Sequence, residues 1–217
     1  MDLIHKIEFS TIIALLNKGT SLKKVEKYFY LESTQLAPNF IRIKVANKYN
    51  AMLNGKLISP KWFDYIGVFD GNYYYIKLNR KANILSKEGK ILSKQWFDYI
   101  GMFFNDFAVV GLNKHYNALN INGKLISETW FDNMTGFFNG ESVVTLNNKQ
   151  NILTKEGKLL SEQWFDYVGI ISKSLYRVKL NEKYNFLTNK GKLLLEQWFD
   201  EAPLFNRITT QLTYSHH

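Results

Sequence analysis

The sequence contains no cysteine. That excludes disulfides, thiolate nucleophiles, iron–sulfur clusters and cysteine-based zinc sites, and it fits a reducing compartment. Proline is almost absent, with 3 in 217 residues, so long polyproline linkers are excluded too. Histidine is scarce: His5, His115, His216 and His217 have no metal-ligand spacing, and neither a metal nor any other cofactor is expected. No apolar run approaches the ~20 residues of a membrane-spanning helix. The first six residues, Met-Asp-Leu-Ile-His-Lys, lack the basic start and apolar centre of a secretory signal, so the expected location is cytoplasmic. Gly-x-Ser-x-Gly, the Walker loop and Gly-x-Gly-x-x-Gly are all missing, and no catalytic residues are assigned.

Apolar residues make up 46% and charged residues 22%, enough to build a core in a soluble protein. The net charge is +9, and residues 1–40 contribute only +1 of it. The positive balance therefore belongs to the rest of the chain, where it can attract anions.

All five tryptophans fall on one ladder: Trp62, Trp96, Trp130, Trp164 and Trp198, each 34 residues from the next. Each is followed by Phe and then by Asp64, Asp98, Asp132, Asp166 or Asp200. Seven residues before each Trp stands a glycine, Gly55, Gly89, Gly123, Gly157 or Gly191, with Lys56, Lys90, Lys124, Lys158 or Lys192 behind it. Self-similarity at a fixed period implies a repeat architecture. A 34-residue period also suits helical repeats, but Gly-Lys and Asn-rich turns break each copy too often for helices.

Between turns lie short β-forming runs, and one copy reads as four strands. Strand one is 176–180, strand two 184–187 and strand three 192–195; strand four begins at Trp-Phe-Asp. Residues 41–50 match 176–185, so the array opens on strand one. Phe205 sits at the same offset as Phe69, Phe103 and Phe137, and 208–214 would supply a surplus sixth first strand. A surplus terminal strand favours an open array. The expected fold is thus an all-β tandem-repeat array, an open solenoid-like stack of antiparallel β-hairpins over 39–214. A five-bladed propeller is the alternative. Residues 215–217 read as a tail or the remnant of a purification tag.

The copies also carry Lys-Tyr-Asn at 48–50 and 183–185, His-Tyr-Asn at 115–117, Lys-Ala-Asn at 81–83 and Lys-Gln-Asn at 149–151. With the Gly-Lys turn and the Trp-Phe-Asp, this pattern resembles the WG-repeat family, also called KWG repeats, over about residues 41–214. The version here looks like that carried by phages of gut bacteria, with Lys-Tyr-Asn for Lys-Trp-Gly. The resemblance implies no catalytic activity.

Residues 1–38 read as a helical cap. Ile12, Ile13, Leu15 and Leu16 form an apolar face, Asn17-Lys18-Gly19 is a stop, and Thr20 or Ser21 caps a second helix. Two helices around a glycine superficially resemble a helix-turn-helix, but a charge of +1 is poor for phosphate contacts.

The five Asp invite an acid–base reading. Identical copies argue against it, because an active site needs different groups converging on one point. Each Asp is expected to accept backbone N–H groups in the turn after Trp-Phe, and each Trp to fill the core between repeats. The five lysines form the candidate anion-binding edge. The expected function is non-enzymatic: a scaffold whose partner is another protein, as in a phage protein acting on a host protein. Capture of nucleic acid or a nucleotide through the lysine edge is the alternative.

Overall fold

In a computed structural model the described residues are 3–29, 31–70 and 73–201. The expected strand at 208–214, Phe205 and the tail at 215–217 lie outside them. Two helices, α1 (Leu3–Asn17) and α2 (Leu22–Tyr28), precede five small antiparallel sheets. The first sheet holds β1 (Glu32–Ala37), β2 (Phe40–Val45), β3 (Lys48–Leu53) and β4 (Lys56–Leu57). The second holds β5 (Tyr65–Asp70), β6 (Tyr73–Leu78) and β7 (Lys81–Ser86). The third holds β8 (Tyr99–Ile100), β9 (Phe107–Leu112) and β10 (His115–Asn120). The fourth holds β11 (Asn133–Met134), β12 (Glu141–Leu146) and β13 (Lys149–Thr154), and the fifth β14 (Tyr167–Ser172), β15 (Leu175–Leu180) and β16 (Lys183–Thr188). No helix among the described residues is long and apolar enough to cross a membrane.

The chain divides into two compact units. The first comprises Met1–Met102, Val110–Leu112 and Ile121–Lys124; the second comprises Phe103–Val109, Asn113–Asn120 and Leu125–His217.

Three expectations about the strands need correction. The outer strand of a sheet starts after the Asp, not at Trp-Phe-Asp, as β5 and β14 show. The first sheet does not open on strand one, because β1, inside the stretch read as cap, pairs along β2. Strand three survives as a strand only in β4; elsewhere it shrinks to one bridge, such as Leu85 to Ile91 or Leu187 to Leu193.

The two-residue hairpins have a local cause. Asn79-Arg80, Asn113-Lys114, Asn147-Asn148 and Asn181-Glu182 all take positive φ at both positions. That is the type I′ turn, whose twist matches the flanking strands and which asparagine tolerates. The inner strands are buried on both faces at three successive residues: Asn50–Ala51–Met52, Asn83–Ile84–Leu85 and their equivalents.

After each inner strand the chain returns irregularly along it. One asparagine closes the gap. Asn83 Nδ2 donates to the carbonyls of Ser93 and Gln95, both at 2.9 Å, and its Oδ1 accepts the Ile84 N–H at 2.8 Å. Asn151 does the same with Ser161 (2.8 Å), Gln163 (3.1 Å) and Ile152 (2.8 Å). Asn50, Asn117 and Asn185 repeat the pattern, and all five side chains are fully buried. The return then rejoins the sheet at the Phe of Trp-Phe-Asp, as in the bridge of Phe97 to Ala82 or Phe165 to Gln150.

Trp and the Phe after it leave the chain in opposite directions. Phe63, Phe97, Phe131 and Phe165 are fully buried, while the five Trp are half-buried. In the first unit Trp96 packs on the cluster that holds Phe63, and in the second Trp164 joins Phe131 and Trp198 joins Phe165. Trp62 has no earlier sheet to meet. It packs instead with Ile12, Leu16 and Val25 of the helices and with Ile43, Val45 and Met52 of the first sheet. Gly19, at φ +79°, ends α1 as expected from the sequence. Ser21 is the N-cap residue of α2 but makes no side-chain capping bond.

The turn glycines show the same neighbour relation. A Cβ on Gly89 would overlap the Ile58 carbonyl oxygen, and one on Gly157 that of Ile126. Gly55, with a similar φ of +77°, has nothing within 4 Å. Gly55→Ala should therefore cost about 1–2 kcal/mol from the left-handed backbone alone, whereas Gly157→Ala should cost more than ~4 kcal/mol or prevent folding. Urea denaturation of the two variants checks this, and equal midpoints would contradict the packing. Asn151→Ala strands the carbonyls of Ser161 and Gln163 and should cost about 3–5 kcal/mol, read from the same melts.

Candidate functional site

The conserved-looking Asp ladder serves the fold. Asp64 forms an ion pair with Lys48, Asp98 with Lys81 and Asp166 with Lys149, while Lys183 lies 3.6 Å from Asp200. The second carboxylate oxygen reaches forward rather than into the turn after Trp-Phe. It accepts the N–H of the next hairpin turn: Asn79 for Asp64 (2.6 Å), Asn147 for Asp132 (2.7 Å) and Asn181 for Asp166 (2.8 Å). In the third copy His115 stands where the other copies carry lysine. The bond from Lys48 holds the Asp64 carboxyl below the usual carboxylate range, and that from Lys149 does the same for Asp166. Fixed in ion pairs and turn bonds, these carboxylates are poor acid–base catalysts.

Lys56, Lys90, Lys124, Lys158 and Lys192 are all exposed just after their turn glycines. They are not the lysines that meet the Asp ladder. Among the described residues no three His, Asp or Glu side chains converge as a metal site.

The structure adds a site that the repeat pattern does not announce. In the first unit a pocket of about 460 Å³ is lined by Tyr65, Val68, Phe69, Tyr75, Lys77 and Met102. Its floor depends on Gly67. A Cβ there would lie 2.5 Å from Tyr65 Oη, so the tyrosine ring rests on the glycine and stays 42% exposed. Beside it the register places Lys77 opposite Tyr65 and Tyr75 opposite Gly67. The pairing then slips between Val68 and Asp70. A bulge of this kind re-aims side chains: Phe69 is buried while Val68 is left 51% exposed.

The rings form a connected series. Tyr49 and Tyr65 are 6.2 Å apart, Tyr65 meets Tyr75 edge-on at 6.2 Å, and Phe69 lies parallel to Tyr75 at 6.3 Å. Lys77 Nζ sits 5.6 Å from the Tyr75 ring centre, and the Arg42 guanidinium 5.7 Å from that of Tyr49. In the second unit Tyr167 likewise rests on Gly169, with Arg177 6.0 Å from its ring. There Lys179 is paired with Glu182 at 2.6 Å. Tyr176, on the buried side, donates to Glu141; burial, with that bond second, pushes its hydroxyl pKa up.

A weak signal for the pocket was present in the sequence: Tyr65, Tyr99 and Tyr167 each follow a Trp by three residues, with a glycine two further on. Nothing local indicates that Met102, from the next copy, completes the lining.

Residues 53–81 match the family described as WG containing repeat. No curated protein matches the sequence. Among solved structures, Kluyveromyces lactis Hsv2p is similar at 13% identity and a TM-score of 0.36, over 76% of this chain and 62% of that one. The Neurospora crassa Pan2 WD40 domain gives 9% identity and a TM-score of 0.30, over 76% of this chain and 64% of that domain. A Bacteroides caccae protein of unknown function gives 13% and 0.27, over 76% and 71%. The chain spans under two thirds of the length of the first two. Residues 53–81 thus match a WG-containing repeat, and the spacing of Gly, Trp and Asp found there recurs along the chain.

Proposed function

We propose that the protein is a non-enzymatic binding repeat protein and that the pocket of its first unit engages another protein. One observation carries this reading: Met102 is 72% exposed and Val68 51%, side by side in the lining of an aromatic pocket. Exposed apolar side chains gathered around a concavity mark interaction surfaces, and methionine and aromatic residues are enriched there. The second unit also exposes large apolar side chains, at Phe104, Phe138, Ile170 and Ile171. The carboxylates that could have argued for an enzyme are committed to ion pairs and turns. Given the resemblance to repeats of gut-bacterial phages, the partner under this proposal is a host protein.

The same proposal makes the array open, with the helices as its cap. Its support is the first unit alone: α1 and α2 meet Trp62, and no earlier neighbour approaches Gly55. Removing residues 1–30 should keep the β-type circular dichroism but lower solubility and the urea midpoint, because Ile43, Val45 and Met52 lose their cover. A truncated protein as soluble and as stable as the whole would end the cap reading.

For the pocket, Val68→Glu with Met102→Glu should weaken a purified partner's binding by at least about tenfold without altering the unfolding midpoint. Calorimetry at low and high salt checks it. Undiminished binding that collapses only with salt would instead favour anion capture along the turn lysines.

A further inference from the structure

We infer that the pocket accepts an apolar side chain flanked by a carboxylate, presented by an acidic segment of a protein partner. This rests on the reading of the pocket as a protein-binding site and names the chemistry of the partner. Lys77 is the deciding group in the lining. Its two structural equivalents are already neutralised. In the first sheet Lys44 is paired with Glu32 on the neighbouring strand at 2.9 Å, and in the fifth Lys179 is paired with Glu182 of the hairpin turn at 2.6 Å. The second sheet has neither acid. Strand pairing puts Tyr65 opposite Lys77 where Glu32 stands opposite Lys44. The hairpin turn has Arg80 where the fifth sheet has Glu182. Among the described residues Lys77 has no ion pair, and it is exposed at the pocket.

Lys77 is nevertheless held in place. Its Nζ lies over the Tyr75 ring, and a cation so placed still turns N–H donors outward. The rest of the lining is three rings and two aliphatic side chains, Val68 and Met102. A volume of about 460 Å³ suits one large side chain with part of its backbone. Methionine, unbranched and polarisable, adapts its shape to such a guest. The complement of this surface is an apolar group beside one negative charge. A nucleic-acid strand is less well matched, since tracking phosphates takes several cations and this pocket offers one.

The test uses the full chain with its methionine methyl groups labelled with carbon-13, so that Met102 reports occupancy by NMR. The probes are the capped peptides Ser-Asp-Phe-Asp-Ser, Ser-Asn-Phe-Asn-Ser and Ser-Asp-Ala-Asp-Ser, and a short oligothymidylate. The acidic phenylalanine peptide should shift the Met102 signal and bind about fivefold more tightly than its asparagine form at low salt. The alanine peptide should leave the signal in place, and Lys77→Gln should erase the difference between the first two. Equal binding of the Asp and Asn peptides overturns the acidic assignment while leaving the protein-binding reading standing. Silence of Met102 with all three peptides overturns both. An oligothymidylate that outcompetes the acidic peptide replaces this inference with nucleic-acid binding.

Discussion

Each repeat depends on one buried amide. The return segment after the inner strand is too irregular to form a full ladder with it, and the asparagine facing it is fully buried. Unpaired carbonyls there would cost about 1–3 kcal/mol each. The asparagine at the start of the inner strand's buried stretch supplies two donors and one acceptor at the required spacing, as Asn83 and Asn151 show. No other side chain of that size carries two donors together with an acceptor. The serine at the apex helps in four copies, where Ser59, Ser93, Ser127 and Ser161 accept the N–H two residues on. With the return closed in this way, Trp-Phe is delivered to a fixed height beside the inner strand.

That delivery explains the neighbour relations within each unit. Phe and Trp turn to opposite sides, so the pairs Trp62–Phe63 and Trp164–Phe165 each join two clusters. At Gly89, Gly123, Gly157 and Gly191 glycine is required because the previous repeat's carbonyl occupies the space of a Cβ. The Asp then ties the Lys at the start of its own inner strand to the hairpin turn of the next repeat. One set of residues thus serves both the repeat and its junction: Gly, Trp, Phe and Asp recur in all five copies, and the Lys in all but the third, where His115 stands.

The proposed binding pocket lies where the copies differ. The position of Tyr75 is Arg42, Val109, Val143 and Arg177 in the other copies, and that of Lys77 is Lys44, Gly111, Thr145 and Lys179. Among the described residues only the second sheet combines two rings on its face with a lysine lacking an acid, and Met102 closes the space beside it. Variation at the positions of Tyr75 and Lys77 leaves the recurring Gly, Trp, Phe and Asp untouched.

Sequence periodicity alone determined that the chain is built of β-type repeats and where its turns fall. These follow from local rules: positive-φ glycines, Asn-rich hairpin turns and alternating β formers act over a few residues. Tertiary structure decided the rest. It moved the outer strand past the Asp and into the next sheet, reduced the third strand to a bridge, and sent the Asp bond to a turn 15 residues ahead. It also gave the buried asparagine its role. That residue was visible as the one constant letter of Lys-Tyr-Asn, yet its partners lie 10 to 12 residues away across a return whose path no local rule describes. The pocket was least legible of all, because Gly67, Tyr75 and Met102 become neighbours only when strands from successive repeats are laid side by side.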